Sequence, residues 1–170
     1  MVRNYRKPLI LAMPKTLLRL PDASSKVSEM GENTNFQKVI DDKEISSKTV
    51  KRVIFCSGKH YYTLKQERKE RNLDNKIALV RLEELAPFPA VEVSKILEKY
   101  DNLNSESDFY YAQEEPKNAG AFSFVEPRFK NLFNVKVNYA GRETLPCPAV
   151  GIGSMHKRQV QQILEDALSL

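Results

Sequence analysis

Three short stretches carry the side chains best suited to chemistry: Pro14-Lys15, Ser57-Gly58-Lys59 and Gln113-Glu114-Glu115. Each follows a strand-like apolar run. If those strands are parallel, their carboxyl ends share one edge of a sheet, where open α/β folds place ligands. Ser57-Gly58-Lys59 also opens a helical segment, and free backbone N–H groups beside a lysine suit a phosphate or carboxylate. The alternative is structural: Ser57 caps the helix, Gly58 eases the turn and Lys59 is solvated. Glu114 and Glu115 do not make an acid/base pair, because neighbours on an extended segment face opposite ways. One of them paired with Lys or Arg across a subunit contact fits better.

Other arrangements fall short of a catalytic set. His60 and His156 each sit at a helix start, where a surface role is the default. Cys56 ends an apolar strand and reads as a buried thiol. Cys56 and Cys147 stand far apart, with no ligand-spaced Cys/His cluster. That usage fits a reducing compartment such as cytosol or mitochondrial matrix. Gly151-Ile152-Gly153 resembles the start of a dinucleotide fingerprint, but His156 occupies the third glycine position. There is no phosphate-binding P-loop. There is also no Gly-Asp-Gly followed some thirty residues later by Asn, the thiamine diphosphate–metal signature.

The elements that must position these groups are readable from periodicity. Leu9–Met13 is wholly apolar between Pro8 and Pro14, which predicts a strand buried on both faces. Leu17, Leu18 and Leu20 begin a helical turn. Residues 22–49 turn polar, with a short helix reaching Met30, Gly31 ending it, and a minor strand over Phe36–Ile40. Strands follow at Val50–Cys56, Ile77–Leu82, Asp108–Ala112 and Val135–Tyr139, the last with the alternation of a half-exposed edge, open to an antiparallel placement. Gly141-Arg142 closes it. Helices are expected over about His60–Asn72, Ala90–Tyr100, Gly120–Phe133 and Met155–Leu168, with Pro127 kinking or splitting the third and Ser154 capping the fourth. Alternating strands and helices give an α/β class: three layers around a mostly parallel five-stranded sheet.

A chain of 170 residues with 41% hydrophobic residues and a mean hydropathy of −0.49 suits a single domain over 1–170, with the polar stretch 22–49 as a loop or insertion. The net charge of +5 is spread over mixed-sign faces, as in Lys65–Arg71, so a nucleic-acid stripe is not expected. Apolar runs are too short for a membrane span, and the amino-terminal run is too short for a signal peptide.

The stretches RKPLILAMPKTLLR, VIFCSGKHYYTL, VRLEELAPFP, YYAQEEPKNAGAFSFVEPRF and PAVGIGSMHKRQVQQILEDAL occur in order across nearly the whole chain. Together they resemble the carboxyl-terminal part of the first component of the 2-oxoglutarate dehydrogenase family. SGKHYY and LPCPAVGIGS look closest to the paralogue acting on 2-oxoadipate. The resemblance implies a transketolase C-terminal domain-like fold. It also implies a homodimeric parent using thiamine diphosphate and Mg bound outside this segment. That parent passes an acyl group to a dihydrolipoyl succinyltransferase, with a dihydrolipoyl dehydrogenase as third component, in the mitochondrial matrix. The upstream cofactor domains are not in this sequence, so the segment is not expected to decarboxylate alone. Lys15, Arg19, Ser57, Lys59, Gln113, Glu114, Asn118 and Arg142 are the expected interface or effector contacts, the cations meeting phosphate or carboxylate. A free-standing module binding CoA or a nucleotide is the alternative.

Overall fold

The computed structural model describes residues 4–8, 10–43, 45–103 and 108–170. Two compact units are present, Met1–Asn35 and Phe36–Leu170.

In the first unit, three short 3-10 helices cover Lys15–Arg19, Pro21–Ala23 and Val27–Met30. Ile10–Met13 forms no strand, and Leu9 lies outside the described residues. The expected first strand is therefore not formed within this chain. A strand needs a neighbour for its N–H and C=O groups, and this stretch has none: Ile10 is 90% and Leu11 73% exposed.

The second unit is a five-stranded sheet in the order β1-β3-β2-β4-β5. Its strands are β1 (Val39–Ile40), β2 (Arg52–Cys56), β3 (Ile77–Leu82), β4 (Phe109–Pro116) and β5 (Asn138–Arg142). β2, β3, β4 and β5 run parallel, and β1 pairs antiparallel with β3. The α/β three-layer class and the mostly parallel five-stranded sheet stand as expected, with Val39–Ile40, from the expected minor strand Phe36–Ile40, making the fifth strand. The antiparallel edge is β1, whereas β5 is a parallel edge.

Side-chain alternation along the strands sorts the core into two faces. Val53, Phe55, Val80, Leu82 and Tyr111 pack with Val93 and Ile96 of α2 (Ala90–Lys99), with Tyr100 at its C-cap, and with Val125 and Phe129 of α3 (Phe122–Phe133). Ile54, Cys56, Leu79, Ala112 and Ala140 pack on the other face. Their partners are Leu64 of α1 (His60–Glu70) and Leu164, Ala167 and Leu168 of α4 (Gly153–Leu168). Pro127 sits inside α3 without dividing it. α4 begins one residue before Ser154, with Ile152 at the cap position.

Two strand boundaries differ from the sequence reading for one reason. Val135 and Val137 do point inward, as their alternation requires. However, the ladder to β4 begins only where Asn138 meets Tyr110. β4 begins at Phe109, only one residue before that first pair, so Val135 and Lys136 precede the ladder. β5 therefore runs on through Gly141 and Arg142. β4 likewise continues past Ala112 to Pro116, paired to that growing edge.

The polar stretch before β2 is more than a loop. Asp41 reaches α2, accepting from Lys99 Nζ at 2.5 Å and from the Tyr100 hydroxyl at 3.1 Å. Asp42 reaches the opposite helix layer and pairs with Arg68 of α1. Adjacent carboxylates thus clasp both faces from the β1 edge.

Candidate functional site

The parallel strands deliver β2, β3, β4 and β5 to one carboxyl edge, and the site is built there. Between Ala112↔Ala140 and Pro116↔Arg142 the register shifts: β4 advances four residues while β5 advances two. Gln113, Glu114 and Glu115 form the resulting bulge. Bulges re-aim side chains and end pairing at sheet rims.

Gln113 is the inner pin of this bulge. It is 3% exposed. Its amide nitrogen donates to Glu115 O at 3.2 Å and Pro116 O at 3.0 Å, and its amide oxygen accepts from Phe122 N at 2.9 Å. Both ends are therefore committed to backbone. Gly120 lies against it, and a Cβ there would sit 2.4 Å from the Gln113 amide.

Arg142 is the outer pin, 7% exposed. Its guanidinium donates to Glu114 O and, at 2.8 Å, to Gln159 Oε1, and it meets His156 Nδ1 at 2.9 Å. This joins β5 and the β4 bulge to the first turns of α4. Asn118 closes the neighbouring loop by exchanging two hydrogen bonds with the Leu145 backbone, at 3.0 and 3.2 Å.

Ser57 does not cap α1, whose cap position is Lys59. The Ser57 hydroxyl donates to Leu82 O at 2.8 Å and shares a 3.0 Å hydrogen bond with the Tyr111 hydroxyl, tying β2 to β3 and β4. Burial pushes Tyr111 up to about 12. Gly58 takes φ +60°, a left-handed turn that glycine adopts without strain.

Lys59 is the accessible cation of the cluster. Its side chain is 40% exposed, and its ammonium lies 3.6 Å from Glu114 Oε1, itself 28% exposed. The ion pair expected for one of the two glutamates forms within this chain. Such a half-solvated pair is weak, and an incoming anion can replace the carboxylate.

Behind the pair lies His60, which corrects the surface reading made for it. It is 4% exposed, and neither ring nitrogen has a hydrogen-bond partner. Burial lowers its pKa to about 4, with Glu114 opposing and Lys59 and Arg142 reinforcing the shift. The signal was available: His60, Leu64 and Arg68 are the buried stripe of α1 at i, i+4 and i+8. His156 also has a structural partner in Arg142.

The edge therefore brings together Ser57, Lys59, Gln113, Glu114, Asn118 and Arg142. Lys15 and Arg19 open and close a 3-10 helix of the first unit. Among the described residues the edge holds no nucleophile–base pair, since the Ser57 hydroxyl is committed and neither His60 ring nitrogen has a hydrogen-bond partner. Its chemistry is electrostatic: the partly solvated Lys59 ammonium, paired with Glu114, over a hydrogen-bonded backbone frame.

Residues 24–168 match the sequence profile of the 2-oxoglutarate dehydrogenase C-terminal family. The chain belongs to that family. Relatives carry the likeness through almost every residue. The chain is 46% identical to the probable 2-oxoadipate dehydrogenase complex component E1 homolog of Dictyostelium discoideum, over 99% of this chain and 19% of that protein. It is 46% identical to the 2-oxoadipate dehydrogenase complex component E1 of Danio rerio, over 99% and 18%. It is 43% identical to the 2-oxoglutarate dehydrogenase E1 component of Haemophilus influenzae, over 99% and 18%. The chain thus spans about a fifth of the length of the curated relatives it matches. Among the described residues no helix is long and apolar enough to cross a membrane.

This segment of the 2-oxoglutarate dehydrogenase C-terminal family does not fit thiamine diphosphate and its Mg ion. Among the described residues no three His, Cys, Asp or Glu side chains are grouped to hold a metal. The sequence also lacks the Gly-Asp-Gly…Asn signature. No step through that cofactor is assigned to these residues.

Proposed function

We propose that this chain is the carboxyl-terminal part of the first component of a 2-oxo acid dehydrogenase acting on 2-oxoadipate or 2-oxoglutarate. The observation that carries this is likeness to E1 components of both kinds, at 43–46% identity over 99% of the chain. In this reading the parent is a homodimer of the mitochondrial matrix. Its thiamine diphosphate and Mg are held by sequence outside this segment. Its partners are the dihydrolipoyl succinyltransferase and dihydrolipoyl dehydrogenase components. The segment alone is inactive and supports the parent. Lys59, released from Glu114, receives a phosphate or carboxylate of an acyl-CoA or nucleotide effector, while Gln113, Asn118 and Arg142 hold the edge rigid. Lys15 and Arg19 contribute interface contacts.

The test is a graft. The Danio rerio E1 component, with its matching segment replaced by this chain, is assayed for decarboxylation of 2-oxoadipate and 2-oxoglutarate. Activity of the graft, with none from this chain alone, supports the reading. A folded but inactive graft removes it. Calorimetry with acetyl-CoA and AMP tests the effector part. Lys59→Ala is expected to weaken binding about tenfold, roughly 1.4 kcal/mol. Millimolar ligand giving no heat, on chain or graft, ends the effector part. Binding by the chain beside an inactive graft favours the alternative of a free-standing CoA or nucleotide module.

A further inference from the structure

The first turns of α4 are weakly secured by their own sequence. No side chain caps the helix at Ile152, and its first turn holds no acidic residue. A helix amino terminus carries partial positive charge, which carboxylates offset. Here His156, Lys157 and Arg158 follow instead, all exposed. The other end of α4 differs, because Ile163, Leu164, Ala167 and Leu168 are buried.

Arg142 of β5 reaches across to the weak end. Its guanidinium donates to Gln159 Oε1 at 2.8 Å and meets His156 Nδ1 at 2.9 Å. A guanidinium has donors and no acceptor. His156 Nδ1 is therefore the acceptor, and the ring is the neutral tautomer with its proton on Nε2. A protonated imidazole carries N–H on both nitrogens. It can no longer accept, and it sets a second cation against Arg142.

We propose that the Arg142–His156 hydrogen bond is a pH-sensitive latch, closed while His156 is neutral, and that protonation of His156 frees the first turns of α4 from the sheet edge. Two effects drive the opening. The hydrogen bond becomes a like-charge contact. The new charge also falls at the positive end of the helix dipole, beside Lys157 and Arg158. The remaining charged groups sit around Arg142. Glu114 gives it a backbone oxygen, while the Glu114 carboxylate pairs with Lys59 at 3.6 Å. Glu115 of the bulge and Glu143 after β5 are exposed, and Lys117 donates its backbone N–H to Arg142 O. His60 of α1 feels Glu114, Lys59 and Arg142. Gln159 cannot charge, so its bond to Arg142 does not follow pH. The latch is thus closed at neutral pH and opens as pH falls through the range in which imidazoles charge. It does not depend on which reaction the parent performs.

Amide hydrogen exchange on this chain tests the latch. Protection of the His156–Val160 amides is compared at about pH 7.5 and about pH 5.5, corrected for intrinsic exchange. It should fall about tenfold at the lower pH, with Ile163–Leu168 held within about twofold. No fall overturns the proposal. So does an equal fall over Ile163–Leu168, because the fold rather than the latch is then opening. His156→Ala should protect these amides poorly at both pH values and show no such fall, and a variant that keeps the fall overturns the proposal. His60→Leu should retain the response, whereas its loss would assign the titration to His60 and overturn the proposal. Nitrogen NMR of the ring needs no variant. At about pH 7.5 the His156 Nε2 should carry the proton and Nδ1 none, and the reverse tautomer overturns the latch.

Discussion

Asp42 and Arg68 form an ion pair across the β1 edge of the sheet, with side chains only 9% and 6% exposed. Arg68 also donates to Ile77 O at 2.8 Å and lies 3.2 Å from Asp74. The pair fixes the start of the second unit to α1, while Asp41 fixes the same segment to α2 through Lys99 and Tyr100. The carboxyl edge thus sits on a sheet whose opposite border is closed by charge.

Breaking that pair from one side strands a buried charge. Arg68→Met or Asp42→Asn is expected to cost about 3–5 kcal/mol, whereas a double apolar replacement costs much less, because no lone charge remains. Urea unfolding of the three variants measures this. A single-variant loss below about 1 kcal/mol would fit a solvated surface pair instead.

Gly120 and Gln113 make a similar argument at the bulge. The clash from an added Cβ falls on the tip of a side chain, which normally swings away. Here that tip is 3% exposed and holds three backbone hydrogen bonds. Gly120→Ala should therefore cost about 1–3 kcal/mol. In a Gln113→Ala background the same substitution should cost far less. A double-mutant cycle reads the coupling, and additive losses would mean the two residues do not oppose each other.

These two clusters also show what a sequence can and cannot disclose. Ile77–Leu82 was legible to the residue because six consecutive residues suit a buried strand whatever surrounds them. The helices were legible from stripes such as Val93, Ile96 and Tyr100. The ends of β4 and β5 were not, since each depends on where its neighbour begins, a long-range fact. Asp41 and Asp42 looked like solvated loop residues because their partners lie 26 to 59 positions away. At the candidate site, Gln113, Arg142 and Ser57 each hold backbone carbonyls, and residue type alone does not separate a ligand contact from a backbone pin. Lys59 and Glu114 form an ion pair that stays partly open to solvent.

His60 predicts how stability depends on pH. Burial holds the folded-state pKa at about 4, against an ordinary value of 6.5. Between those values the unfolded chain binds the proton and the folded one does not, so stability rises with pH. The contribution is complete above pH 6.5 and is lost progressively down to about pH 4, by about 3 kcal/mol in all. His60→Leu removes this component and is close to neutral at pH 7, since the ring nitrogens have no partners to lose. Unfolding midpoints from pH 4 to 8 decide it. Parallel curves for the two proteins would show that His60 is hydrated when folded.

The two thiols should separate cleanly by reactivity. Cys56 is 0% exposed in the β2 core, and burial pushes its thiol up to about 12. The thiolate is the reactive form, so folded Cys56 offers neither access nor charge. Cys147 is exposed in the loop before α4. Iodoacetamide at pH 8 should add one label to the folded chain, on Cys147, and two in denaturant. Mass spectrometry reads the count. Labelling of Cys56 under native conditions, at a rate matching Cys147, would mean that β2 opens readily and that the sheet does not hold its carboxyl edge in place.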